Sequence, residues 1–171
     1  AASSPTSFYL ASGGRANTRH GDGRLVTGAP VDSPPDSFTY DPKHPVPGSM
    51  SDNAIDRGKV QDRADVLVYS TEVLTAPLEI IGKVMVELQL TPGKVETFPI
   101  ELFDIAHQFE AGHRLRLEIS SSAAPYYNPN QNTGNPVATD TEWRVARQVI
   151  HHDRARPSSV ILPVVPRGAV Q

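Results

Sequence analysis

Six histidines and a scatter of serines and aspartates are the residues of this 171-residue chain with the chemistry for a reactive centre. His151-His152-Asp153 is the densest group. A zinc ion needs convergent ligands, and neighbours on a strand point to opposite faces, so these three do not readily share one ion. His107 and His113 flank a turn and could converge; the plainer reading is that both hydrogen-bond backbone in tight turns, and that His152-Asp153 caps a bend. The oxygen-rich run from Asn128 to Asp140 lacks the ordered ligand spacing of a calcium loop. No metal and no cofactor is expected. A serine nucleophile at an elbow needs G-x-S-x-G between a strand and a helix. No such pattern occurs, and Ser12-Gly13-Gly14 lacks the leading glycine. No residue of this chain is therefore assigned a catalytic role.

Two sets of residues could bind rather than react. Tyr126, Tyr127, Asn130 and Trp143 could form a sugar platform, with aromatic faces stacking and the amide bonding hydroxyls. The alternative is that Trp143 sits in or beside the core and the tyrosines anchor a long loop. Arg114, Arg116 and Glu118 share one strand face, with His113 at its head. They form either a solvated face with cross-strand ion pairs or a polar face on which another domain docks.

The elements that position these residues are short strands. In Phe109-Glu110-Ala111-Gly112-His113-Arg114-Leu115-Arg116-Leu117-Glu118-Ile119-Ser120-Ser121-Ser122, a turn leads into strict alternation. Leu115, Leu117 and Ile119 point one way and the charged residues the other, as in a half-buried antiparallel strand. Val84, Val86, Leu88 and Leu90 share one face of another strand. Further strands are expected at Phe8-Tyr9-Leu10, Arg24-Leu25-Val26, Val66 to Ser70, Leu78 to Ile81, Val95 to Leu102, Thr141 to Ile150 and Ser159 to Val165. Thr91-Pro92-Gly93-Lys94 reads as a type II turn, Pro99 as the mark of an edge or bulge, and residues 103–109 as room for one helical turn. Residues 28–48 carry six prolines and read as an extended loop wrapping a surface, with Phe38 and Tyr40 as anchors.

Sixteen prolines and twelve glycines leave little room for helices, and 38% hydrophobic residues suffice for a single core. The pattern is all-β, a sandwich or jelly roll in one domain over residues 1–171. A net charge of −3 without a basic stripe argues against nucleic acid. No apolar run reaches the ~18 residues of a membrane span, so no membrane is expected. The absence of cysteine excludes disulfides and thiolate metal sites. The start of the chain lacks the basic-then-apolar pattern of a secretory signal, and the compartment stays unassigned.

Several separated blocks, in one order, resemble a single family. Phe8-Tyr9-Leu10 with Ser12-Gly13-Gly14 and Asn17-Thr18 is similar to its opening strand and turn. Tyr40-Asp41-Pro42 with Pro45-Val46-Pro47 resembles its proline-rich crossing, and Arg63 with Asp65-Val66-Leu67-Val68-Tyr69 its entry into the core. Pro92-Gly93-Lys94-Val95 with Ile100-Glu101-Leu102 is similar to the strand before its signature, and Ala106-His107, Phe109 and residues 111–122 form the closest match. Asn128, Asn130 and Asn132-Thr133-Gly134, then His152-Asp153, Pro157-Ser158 and Leu162-Pro163-Val164, resemble its later parts. The family is the C-terminal, galactose-binding-like β-sandwich domain of the X-prolyl dipeptidyl aminopeptidase and cocaine-esterase-like serine hydrolases. The resemblance implies a non-catalytic accessory domain whose partner is the catalytic α/β-hydrolase domain of the parent enzyme, packed beside its active site and shaping substrate access, with a homodimer also open. A free-standing carbohydrate-binding or protein-interaction module is the alternative. One departure stands out: the family usually carries several more strands where Leu90 here abuts Thr91, so a segment is suspected missing between residues 90 and 91.

Overall fold

In the computed structural model, residues 3–48, 56–91, 94–136 and 138–166 are described. In chain order the strands are β1 Ser4–Ala11, β2 Arg24–Val26 and β3 Asp36–Tyr40, then a single helical turn, α1 Gly58–Gln61. Strands β4 Leu67–Ser70, β5 Leu78–Leu90, β6 Glu96–Phe109, β7 Arg116–Ile119, β8 Ala146–His151 and β9 Ser159–Val164 follow.

Along its hydrogen bonds the sheet runs β3-β8-β5-β9-β1-β2-β4-β7, with β6 on β5. β5 is the spine. It pairs with β6 from Leu78↔Phe109 to Leu90↔Glu96, with β9 from Ile80 to Glu87, and with β8 at Gln89 and Leu90. The sheet folds over itself, so that Leu115 and Ile119, next to and on β7, join Val84, Val86 and Leu88 of β5 in one buried cluster. The result is a β-sandwich with Phe8, Leu10, Leu67, Tyr69, Ile80, Ile150, Val160 and Leu162 between its layers.

Alternation explains most of this. Val84, Val86 and Leu88 are buried as their spacing requires, and Leu90 is half-buried. Gly82 has φ +126°, where a side chain is strained, and an added Cβ would lie 3.4 Å from Pro163 of β9. Here β5 bends, and its registers with both β6 and β9 shift between residues 80 and 85. The two segments expected on either side of Gly82 are thus one long strand. Gly23 serves closeness rather than φ: a Cβ there would sit 2.1 Å from the Val68 carbonyl, where β2 meets β4.

Other expectations are corrected. Residues 103–109 form no helical turn; they continue β6 against residues 78–83 of β5. The proline-rich segment 28–48 is not all loop. Its centre is β3, paired along its whole length with β8 and burying Asp36, Phe38 and Tyr40. The strand through Trp143 starts only at Ala146, so Trp143 lies before it. Pro92 and Gly93 of the expected turn lie outside the described residues. Pro99 sits on β6, which among the described residues pairs only with β5 and carries a register shift.

Candidate functional site

The face predicted on β7 is built by a turn and two neighbours. Gly112, at φ +86°, lets the chain reverse after β6, and its N–H donates to the Leu74 carbonyl at 2.8 Å. Arg114 then donates to the Thr71 carbonyl at 2.6 Å and lies 3.6 Å from Glu72. Arg116 donates to Ser70 Oγ at 3.0 Å and to Gln61 Oε1 of α1 at 2.7 Å. Glu118 accepts both ends of the Arg57 guanidinium, at 2.9 and 2.7 Å, and the Gln61 amide at 2.6 Å. Glu118 is therefore committed inside the molecule, holding α1 to the sheet. Arg114, Arg116 and His113 remain exposed. Beside them, Arg19 and Arg24 join the two arginines around a polar cleft of about 210 Å³. Arg19 pairs with Asp62 at 2.8 Å and Arg114 faces Glu72, so four guanidinium groups meet two carboxylates, and the surface suits further acceptors such as carboxylates or carbonyl oxygens.

Tyr126, Tyr127 and Trp143 are all exposed, at 49%, 61% and 43%. Trp143 is thus no core residue. Asn130 is exposed, but its Oδ1 accepts the Asn132 N–H, and its carbonyl accepts the Tyr40 hydroxyl. These contacts brace the 130–132 turn against β3 and leave less of Asn130 free for a ligand.

The histidines do not converge on an ion. Among the described residues, no group of three metal-capable side chains comes together. His107 is exposed on β6, edge-on to Phe109 at 4.7 Å between ring centres. His113 is exposed, and its backbone closes the turn by bonding Glu110 and Leu74. His151 and His152 go separate ways, as adjacent residues on a strand must. The His151 ring meets Thr91 Oγ1 at 2.6 Å through Nε2. Burial pushes its pKa below the usual imidazole value, and the Arg156 charge adds to the shift. Asp153 caps the bend as expected, accepting the Ala155 and Arg156 N–H groups and the Arg156 guanidinium.

His152 belongs to a knot that sequence reasoning missed. Its Nε2 lies 2.9 Å from Asp36 Oδ2, and its Nδ1 lies 2.6 Å from Ser33 Oγ. The carboxylate only accepts, so Nε2 donates to it, while Nδ1 pairs with the Ser33 hydroxyl. The order Ser33–His152–Asp36 resembles a catalytic triad, but with the ring nitrogens exchanged, since in a triad Nε2 faces the serine and Nδ1 the carboxylate. Its surroundings differ too. The Asp36 and His152 side chains are wholly buried. Asp36 also accepts Ser12 Oγ at 2.6 Å, the Tyr69 hydroxyl at 2.7 Å and the Ala16 N–H at 2.9 Å. The residues after Ser33 are Pro34 and Pro35, which have no N–H to offer an oxyanion. Burial alone would raise the Asp36 pKa; its hydrogen bonds from His152, Ala16, Ser12 and Tyr69 outweigh that and hold it below the usual carboxylate range. Tyr69 is pushed well above its ordinary value by burial and by the Asp36 charge. The knot ties β1, β3, β4 and the end of β8 together; it is structural. No spacing signal could have found it, because its members come from four separated segments.

The fold defines a class: an all-β sandwich domain. Residues 86–161 match the X-Pro dipeptidyl-peptidase C-terminal non-catalytic domain. A curated relative, cocaine esterase from Rhodococcus sp. (strain MB1 Bresler), is 32% identical over 216 residues, spanning 95% of this chain and 38% of the relative. An aminopeptidase from a marine sediment Thaumarchaeota archaeon superposes with a TM-score of 0.76 at 18% identity, over 95% of this chain and 37% of that one. An alpha-amino acid ester hydrolase superposes at 0.74 and 23% identity, over 95% and 36%. The two solved structures share the fold. Over residues 86–161 the chain is thus similar to that C-terminal domain, and its fold is the one found in the two solved structures. The chain spans little more than a third of the length of the relatives it matches.

Proposed function

We propose that this chain is the accessory C-terminal domain of an α/β-hydrolase-type serine hydrolase of the X-Pro dipeptidyl-peptidase or acyl-esterase class. The nucleophile, base and acid then sit on a catalytic domain outside this chain, and this domain packs beside their pocket and limits what enters. The observation that carries the reading is the coverage: 95% of this chain aligns with only 38% of an esterase. In the Ser33–His152–Asp36 array the His152 and Asp36 side chains are wholly buried, and the two residues after Ser33 are prolines without an N–H. The docking face proposed is His113, Arg114 and Arg116 with Arg19 and Arg24, where exposed guanidinium groups meet acceptors of the catalytic domain. Glu118 supports that face from within. Self-association of the parent enzyme through this domain belongs to the same proposal.

A chimaera tests it. The region of the Rhodococcus esterase that aligns with this chain is replaced by this chain, and hydrolysis of its ester is compared with that of the truncated esterase. The chimaera is expected to regain activity, and the double substitution Arg114→Ala, Arg116→Ala to lower it by about tenfold or more, as the loss of one or two charged hydrogen bonds at a domain contact would. A chimaera no more active than the truncated esterase contradicts the reading.

A further inference from the structure

The strand registers line up basic side chains whose donors the fold does not use in full. Arg24 of β2 pairs with Ser70 of β4, and Ser70 pairs with Arg116 of β7, so the three form one row across neighbouring strands. Residues in such a row share a face of the sheet. Arg114, two positions before Arg116, stands on the same face, and Arg19 reaches it from the turn before β2. Together the four arginines surround the polar cleft of about 210 Å³, to which Gly21 and Gly23 contribute no side chain. An added Cβ at Gly21 would lie 2.2 Å from the Arg15 carbonyl, so this wall of the cleft stays bare.

The guanidinium groups are held in place with N–H groups to spare. Arg116 gives its Nε to Ser70 Oγ and one Nη to Gln61, and Arg114 gives one Nη to the Thr71 carbonyl. A guanidinium carries more N–H donors than these bonds use. Arg24 is exposed and forms no ion pair among the described residues. Of the two carboxylates at hand, Asp62 is taken by Arg19 at 2.8 Å. Glu72 is 88% exposed and 3.6 Å from Arg114, a pair that solvent weakens. Four arginines against two acids leave a local excess of two positive charges on a chain whose net charge is −3. Like charges gathered on one face repel one another unless a counter-charge joins them.

We propose that this cleft is a binding site for a phosphate group, as the free dianion or at the end of a small ester. A phosphate dianion neutralises the excess charge and has oxygens for guanidinium groups arriving from β2, from the turn before it and from the start of β7. A single carboxylate supplies half that charge and fewer oxygens. The cleft is smaller than the roughly 300 Å³ at which drug-sized ligands begin to fit, so it suits an ion rather than a larger molecule. Phosphate binding does not depend on docking to a catalytic domain. An acceptor docked on Arg114 and Arg116 would compete with phosphate for the same N–H groups. The anion is therefore titrated into this chain alone, where either reading can fail without the other.

Inorganic phosphate is titrated into the full chain at low, constant ionic strength and followed by calorimetry and by the arginine side-chain NMR signals, with acetate as the comparator. Binding is expected to saturate with a Kd of about 1 mM or tighter, and to be about tenfold tighter than that of acetate. Added salt is expected to weaken it. Glycerol phosphate in a parallel titration separates the two sources: the natural form is the one that binds more tightly. Arg24→Gln is expected to weaken binding about tenfold, as the loss of a charged hydrogen bond would. Glu72→Gln removes the competing carboxylate and is expected to tighten binding several-fold, a gain that a poorly folded chain would not give. Three results overturn the proposal: no saturable binding; phosphate bound no more tightly than acetate; or an affinity indifferent to either substitution.

Discussion

Asp36 receives four hydrogen-bond donors in a site closed to water, and His151 lies one residue from its partner His152 in a different environment. Both have depressed folded-state pKa values, by different causes. For His151, burial disfavours the charged ring. Its contribution is complete above the unfolded value of about 6.5 and is lost as pH falls through the lower folded value. For Asp36, the donors favour the carboxylate. Its contribution is complete above the unfolded value of about 3.9 and fades only as pH falls through its still lower folded value. Urea unfolding across pH 8 to 2 is therefore expected to show two losses of stability, one beginning below about 6.5 and one below about 3.9. His151→Gln is expected to remove the first and spare the second; a variant that keeps both contradicts the assignment. Little of this was legible in the sequence. Asp36 follows two prolines and reads as loop, and Ser12 reads as part of a turn. Only the fold brings them to one histidine. Asp153 was legible, because a cap acts on the residues next to it.

At the scale of elements, local pattern and tertiary pairing part company at β6. The alternation of Val84 to Leu90 and of Leu115 to Ile119 could be read directly, since each strand has one wet and one dry face. The run 103–109 has apolar residues at 103, 105, 106 and 109 and no proline or glycine, so its period is ambiguous. Its pairing with residues 78–83, some 25 positions away, decides it as strand. The same long-range demand sets Gly82, which looks in sequence like a break between two strands. In the fold it is the bend that lets one strand serve both β6 and β9. Gly82→Ala puts a side chain at φ +126° against Pro163 and is expected to cost about 1–3 kcal/mol. Urea titration would read this as a lower midpoint with an unchanged slope. An unchanged midpoint would mean that the bend tolerates a side chain and that the register shift has another origin.

For the whole molecule, the separated blocks held more than any single motif. Their order along the chain carried the family resemblance, and the match over residues 86–161 covers the signature strand that anchored it. What the chain packs against is not legible in its own residues. Among the described residues, no helix is long and apolar enough to cross a membrane.

The most direct test of the non-catalytic reading is serine-directed labelling. The purified chain is incubated with a fluorophosphonate, its adducts are mapped by mass spectrometry, and turnover of an activated ester is followed in the same sample. The account predicts no stoichiometric adduct on any serine, Ser33 and Ser12 included, and turnover equal to buffer. An adduct on Ser33 that forms in step with loss of ester turnover, and that Ser33→Ala abolishes, would contradict it.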